Sequence, residues 1–188
     1  MGDEQRIIED IISGYSGLYR ILVDRYQNPV FRVILKIVAN SEDAKEITQD
    51  VFVKAYDSLH QYKPEYKFFS WIYRIAINDA LLFVRRRRKF LKTEIISLKS
   101  YQIAVQNEEN ENREYLLNRS LQELSQYYQP VIMLKYYAGL SYSDMAETLG
   151  IPEKKVKSRL FDARKILKAK LLESGYFTLQ NVDYFSKD

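Results

Sequence analysis

An all-α protein in two small helical pieces is the fold that this sequence predicts, and three observations predict it. Apolar residues recur at helical spacing along most of the chain, strand-like alternation is weak, and one polar, Asn-rich run, QNEENENRE, interrupts the periodicity. The interruption sets the boundaries: a first helical domain over residues 1–91, a flexible linker over 92–114, a second helical domain over 115–174 and a tail over 175–188. With 188 residues, 46% of them hydrophobic, the chain has enough apolar side chains for packed cores despite 29% charged residues.

In the first piece Ile8, Ile11, Ile12, Leu18, Leu22 and Tyr26 recur at helical spacing. Pro29 is read as opening a further helix, because its missing N–H is tolerated in a first turn, with Val30, Ile34, Ile37 and Val38 facing inward. Ser41 is expected to cap a long helix that buries Ala44, Ile47, Val51, Ala55 and Leu59. The opposite side of that helix carries Asp43, Glu46, Gln49 and Asp50, which on residue type alone read as a solvated face. Residues 62–67, which include Pro64, form a loop, and a helix starting at or near Ser70 runs into four consecutive arginines, Arg85 and Arg86 first. Tyr62, Tyr66, Phe68, Phe69, Trp71 and Tyr73 crowd this stretch. Aromatic rings interleaved with cations suit single-stranded nucleic acid, since bases stack on rings while cations track phosphates. The same rings could equally fill a small helical core.

In the second piece two short helices, over 115–124 and 130–138, lead into SYSDMAETLGIPEKKVKSRLFDARKILKAKLL. Ser141 with Asp144 three residues on gives a capping-box-like helix start. Met145, Ala146 and Leu149 share one face, and Gly150 ends the helix where φ > 0 is wanted. Pro152 fits the first turn of the next helix. Small Ala146 permits close approach, Gly150 makes the turn and Val156 plugs the angle, which is the helix-turn-helix arrangement whose second helix enters a major groove. On that second helix Val156, Leu160, Ala163, Leu167 and Leu171 form a core stripe. Lys154, Lys157, Ser158, Phe161 and Lys165 lie roughly opposite, able to meet phosphates, base edges and thymine methyl groups. An ordinary basic amphipathic helix has a similar wheel; the turn spacing, the caps and the outward Phe161 favour DNA.

Composition excludes several function classes. Formal net charge is only +4, but the isoelectric point near 9.0 and the local clustering of basic residues matter more than the total. With no Cys there is no disulfide framework and no thiolate metal site, and the single His60 leaves little scope for imidazole catalysis. No apolar run reaches the length of a membrane span, and the N-terminus lacks a signal-peptide pattern, its Met1-Gly2 start being a weak myristoylation match. A cytoplasmic protein without catalytic residues, metal or cofactor is expected.

Four motifs in order, DRYQNPVF, EDAKEITQDVFVKAY, FFSWIYRIAIN and GLSYSDMAETLGIPEKKVKSRL, resemble the extracytoplasmic-function sigma factors, the smallest class of the bacterial sigma-70 family. The resemblance covers roughly residues 19–172; the first three motifs look like region 2 and the last like region 4. It implies a dissociable subunit that binds core RNA polymerase and directs promoter-specific initiation. Asp43, Glu46, Gln49 and Asp50 then match the surface that docks on the polymerase's largest catalytic subunit. Tyr62, Ile75 and Asn78 match positions lining the pocket for a base flipped from the −10 element, with Arg74 on the helix around it, and Lys63, Arg85 and Arg86 are assigned to the same surface. Lys157, Ser158 and Phe161 match positions that read the −35 element, to which Lys154, Arg159, Arg164 and Lys165 are added. The resemblance further implies a cognate anti-sigma factor, often membrane-anchored in this family.

The chain departs from the family pattern at Ile77 and Asp162, where relatives commonly have a basic residue, and at Leu82, where an acidic one is common; these leave the promoter sequence open. Two other readings compete. A stand-alone helix-turn-helix regulator explains residues 141–172 but not the acidic face or aromatic loop. A metal-dependent nuclease could use Asp43, Glu46 and Asp50, which fall at helical spacing, but lacks a second carboxylate-rich motif.

Overall fold

The computed structural model describes residues 3–94 and 109–176, so the middle of the expected linker and most of the tail lie outside the described residues. Every regular element among these is helical: α1 (Asp3–Ile12), α2 (Tyr19–Val38), α3 (Ser41–Asp57), α4 (Phe68–Glu94), α5 (Glu109–Gln122), α6 (Gln129–Ile132), α7 (Tyr142–Leu149) and α8 (Glu153–Glu173). The single turn of α6 continues as a π-helical turn, Met133–Tyr137. The class is all-α, as expected.

Helices α2, α3 and α4 pack against one another in a three-helix unit, with α1 laid against α2. Leu22, Val30, Val33, Ile34 and Ile37 give α2 a buried stripe, and α3 contributes Ala44, Ile47, Val51 and Ala55. Phe68, Ile72, Ala76 and Ala80, each four residues from the last, are fully buried on α4; the two alanines let its neighbours come close. In the second unit α8 packs on α5, α6 and α7, and its buried residues are the predicted Val156, Leu160, Ala163, Leu167 and Leu171. The units also touch: α4 lies against α7, and α2 against α5 and the π-helical turn. The buried apolar side chains of both therefore form one continuous cluster.

Several boundaries differ from expectation for identifiable reasons. Pro29 does not start a helix but sits inside α2. Proline removes one helical hydrogen bond there, yet Leu22 before it and Val30, Val33 and Ile34 after it belong to one buried face, so packing carries the helix through. Asn40, not Ser41, caps α3, its side chain accepting from the Asp43 N–H at 2.9 Å. The 7–26 pattern divides at Gly14 (φ 114°), leaving Ile12 half exposed. The helix expected near Ser70 begins at Phe68, and α5 begins at Glu109, inside the run read as linker. Pro152 is the residue before α8 rather than within its first turn; its carbonyl accepts from Lys155 and Val156.

Between α2 and α3 the chain turns at Ala39, whose φ of 56° places a residue with a Cβ in the left-handed region, and whose N–H bonds to the Leu35 carbonyl at 2.8 Å. Left-handed backbone costs a residue with a Cβ about 1–2 kcal/mol, and glycine is the usual occupant of such a helix end. Replacing Ala39 by Gly relieves that strain at a smaller entropic loss in the unfolded chain. Ala39→Gly is expected to raise the unfolding free energy by about 0.5–1 kcal/mol, read as a higher urea midpoint by far-ultraviolet circular dichroism. An unchanged or lower midpoint would show that the turn is not strained.

Candidate nucleic-acid and protein interfaces

The helix-turn-helix forms as its residues dictate. Ser141 Oγ accepts from the Asp144 N–H at 3.1 Å and donates to the Asp144 carboxylate at 2.7 Å, capping α7. Gly150 takes φ 64° and ψ 35°, the left-handed conformation that ends α7, and Val156 fills the angle with no exposed surface. On α8 Lys154, Lys157, Ser158, Phe161 and Lys165 are all exposed. Phe161 is 67% exposed, an arrangement that leaves a large apolar ring for a partner to cover. Lys157 pairs with Glu153 at 2.7 Å, which holds its pKa above the ordinary lysine value, and lies 5.4 Å over the Tyr142 ring.

Arg159 and Arg164 do not join that face. Both are half-buried, with Arg159 stacked 3.7 Å over the Tyr127 ring and Arg164 5.9 Å over that of Tyr136. Their guanidinium planes cover aromatic surface within the second unit, so they brace α8 on its own domain.

The aromatic-basic stretch is divided by burial. Tyr62 is only 8% exposed, its ring tilted against Trp71 at 5.7 Å and edge-on to Phe68 at 5.9 Å, and its hydroxyl donates to the Tyr66 carbonyl. Burial, followed by the nearby carboxylates of Glu4 and Glu147, pushes its pKa up to about 12. Tyr62 thus packs as core in this state and presents no open ring. Ile75 is half-buried, and Asn78, one turn later on α4, is exposed, as are Lys63 and Arg86. Arg74 and Arg85 project from the same side of α4 but are occupied by the second unit. Arg74 Nε donates to the Thr148 carbonyl at 2.9 Å and Nη2 to the Glu147 carbonyl, while Arg85 donates to Gln126 at 2.8 Å.

Lys67 belongs to this surface and was missed by residue patterns, although it lies in the aromatic-basic loop. Its ammonium group pairs with Asp144 at 2.7 Å and its backbone N–H donates to the Glu147 carboxylate at 2.8 Å. Tyr66, Ser70, Trp71 and Arg74 line a narrow cleft closed by Glu147. Of the departures, Ile77 is buried and serves the core, whereas Leu82 is exposed.

On α3, Glu46, Gln49 and Asp50 are exposed. Asp43 is separated from them electrically, because it forms an ion pair with Arg87 at 2.6 Å. Beside them runs an apolar groove of about 480 Å³ between α2 and α3, lined chiefly by Tyr19, Val23, Phe52, Val53 and Tyr56. Tyr19 stiffens its floor by donating to the Phe52 carbonyl at 2.7 Å and meeting Tyr56 edge-on at 5.0 Å. The only local signal for this groove is the appearance of Val53 and Tyr56 on the polar side of the α3 wheel. Among the described residues no three His, Asp or Glu side chains come together as a metal-binding set.

Comparison with known proteins fits this geometry. Residues 22–90 match the Sigma-70 region 2 family and residues 115–167 the Sigma-70 region 4 family. The chain is 30% identical to the ECF RNA polymerase sigma-E factor of Haemophilus influenzae over 180 residues, covering 89% of this chain and 95% of that protein. It is 28% identical to the RNA polymerase sigma-H factor of Pseudomonas aeruginosa, covering 87% and 91%. Its fold resembles CnrH, solved in complex with the cytosolic domain of CnrY, with a TM-score of 0.67 at 23% identity over 90% of this chain and 96% of that one. It also resembles RpoE of Bartonella quintana, solved with the anti-sigma factor NepR, with a TM-score of 0.62 at 18% identity over 82% and 96%. With region 2 in the three-helix unit and region 4 in the helix-turn-helix unit, the chain belongs to the extracytoplasmic-function sigma factors of the sigma-70 family.

Proposed function

We propose that the exposed α8 face reads duplex −35 DNA while the outer side of α4 receives the melted −10 strand, the chain itself supplying specificity and no reacting group. As a sigma factor it directs promoter-specific transcription initiation. The observation that carries the residue-level reading is the coincidence of Lys154, Lys157, Ser158, Phe161 and Lys165 on the solvent side of a helix whose opposite stripe is wholly core. Lysines position the helix on phosphates, Ser158 can bond a base edge, and Phe161 can cover a thymine methyl group. On α4, Asn78 offers an amide for the edge of an unstacked base, with Lys63, Arg74, Arg85 and Arg86 for the strand's phosphates. Nucleotide addition then belongs to the core polymerase, and the chain works in the cytoplasm.

Glu46, Gln49 and Asp50, with the adjoining groove, form the docking face for the polymerase's largest subunit in this reading. The groove supplies apolar area and the acidic residues set orientation and association rate. The solved relatives bound to CnrY and NepR support a cognate anti-sigma factor for this chain as well.

Affinity for bacterial core polymerase, followed by transcription from fragmented genomic DNA, tests the whole reading. Tight binding with discrete new start sites is expected; duplex binding by the free chain with no polymerase affinity would favour a stand-alone regulator. Charge reversal in Glu46→Lys/Asp50→Lys should weaken polymerase binding about tenfold or more without changing the thermal midpoint, as charged interface positions do. Equal affinity would return these residues to a merely solvated face. Asn78→Ala should lower open-complex formation by the equivalent of about 1–3 kcal/mol, the worth of one good base contact, and leave polymerase binding intact. Loss of both together would remove Asn78 from the DNA surface. Lys157→Ala should weaken −35 binding and reduce the salt slope by about 1, as for a single phosphate contact; an unchanged slope would show that Lys157 stays with Glu153.

A further inference from the structure

Helix α1 is anchored by Ile8 and Ile11, both buried, and lies against α2 and the 3-10 turn Leu59–Gln61 that leads into the 62–67 loop. Its first turn makes polar contacts that neither the DNA face nor the polymerase face accounts for. Gln5 Nε2 donates to the Pro64 carbonyl at 2.7 Å, joining positions 59 residues apart. Glu4 beside it accepts from the Tyr26 hydroxyl and, at 3.0 Å, from Arg25. Tyr26 in turn meets the Phe68 ring at 5.4 Å, and Phe68 packs on both Tyr62 and Trp71. Helix α1 therefore holds the backbone of the loop through Gln5 and its aromatic floor through Glu4 and Tyr26.

The atom that Gln5 holds decides the shape of the loop. The Tyr66 N–H donates to the Lys63 carbonyl at 3.0 Å, so residues 63–66 form a turn with Pro64 in second place, where its fixed φ is favoured. The two common turns of this kind differ by a flip of the central peptide, whose oxygen is the Pro64 carbonyl. One of them needs positive φ at the third residue, Glu65, whereas among the described residues with a Cβ only Ala39 has positive φ. A donor on the Pro64 carbonyl thus keeps the turn in one of its two forms. Tyr62 closes the loop from the other side, its hydroxyl donating to the Tyr66 carbonyl. Lys63 and Tyr66 are left facing outward. With Tyr62 buried, Tyr66, at 46% exposure, is the ring of this loop that is open to a base, and it lines the cleft shared with Ser70, Trp71 and Arg74.

We propose that Gln5 is a positioning residue for −10 recognition: through its bond to the Pro64 carbonyl, α1 sets the 63–66 turn and thereby the place of Tyr66, the ring on which the melted base stacks. This rests on the assignment of the 62–67 loop and Asn78 to the −10 surface. Stacking on a ring is tolerant of sequence, because every base has a π-face. Choice of base therefore depends on where the ring delivers the base edge, here toward the Asn78 amide. A ring displaced sideways still binds a base but no longer presents that edge. Base preference, rather than strand binding as such, is the quantity that α1 controls.

The test uses the full chain bound to core polymerase, transcribing the strongest promoter recovered from genomic fragments and its single-base −10 variants. Gln5→Met keeps the length, the neutral charge and the helix preference of the side chain while removing the donor. Tyr26→Phe keeps the ring on Phe68 but releases Glu4, and so loosens α1 without touching the loop. Gln5→Met is expected to narrow the initiation ratio between the preferred −10 base and its substitutes about fivefold, the scale of one hydrogen bond, with polymerase affinity unchanged. Tyr26→Phe should narrow it in the same direction and by less. An equal fall on every promoter variant, with base preference retained, would reduce α1 to structural support and overturn its positioning role. Lys63→Ala/Tyr66→Ala separates the underlying reading. If that pair lowers initiation or discrimination while Gln5→Met and Tyr26→Phe change neither, α1 does not position the loop. If the pair also changes neither, the loop does not meet the strand, and its −10 assignment falls together with the role of Gln5.

Discussion

Burial of one side of α4 is the constraint on which the rest of the molecule depends. Phe68, Ile72, Ala76 and Ala80 must face α2 and α3, and each large side chain so buried is worth about 1.5–3 kcal/mol. A helix that commits positions 68, 72, 76 and 80 inward has no freedom over positions 74, 78 and 85, which must emerge together on the other side. Arg74, Asn78 and Arg85 are therefore aligned by hydrophobic packing, before any partner is present. The same logic aligns Lys154, Lys157, Ser158, Phe161 and Lys165 by burying the α8 stripe. In both domains the polar surface is rigid because the apolar one is full.

Polar contacts between the units add to the apolar side chains that both share in one continuous cluster. Exposed ion pairs contribute about 0–1 kcal/mol each, and hydrogen bonds from a charged group such as Arg74 to carbonyls about 1.5–3 kcal/mol. Against these stand many buried side chains within each unit. Because α2 packs on the π-helical turn and on α5, separating the units would also expose apolar side chains of the shared cluster to water.

How much of this was legible in the sequence depended on whether the signal was local. The α8 stripe, the Ser141 cap and the Gly150 turn all lie within a few residues of the structure they cause, and each appears as read. Pro29 misled because a local breaker was overridden by distant packing on both sides of it. Asn40 and Ser41 are both good caps, and side-chain identity alone could not choose between them. Tyr62 illustrates the aromatic ambiguity: of the two readings open for the cluster, core filling holds for this ring, since Phe68 and Trp71 enclose it. Arg159 and Arg164 resemble their lysine neighbours in charge, and only Tyr127 and Tyr136, more than 20 residues away, draw them aside. The engagement of Lys67 with Asp144 spans 77 residues and leaves no periodic trace.

The α3 groove and the cations beside α7 differ in how open they are. Glu46, Gln49, Asp50 and Val53 remain exposed in this structure, while Arg74 and Lys67 do not reach solvent free of partners. The α3 face is therefore open while the units are packed together, whereas Lys67 and Arg74 are already engaged by α7. Docking on an exposed face requires no conformational loss, so its affinity is not reduced on that account.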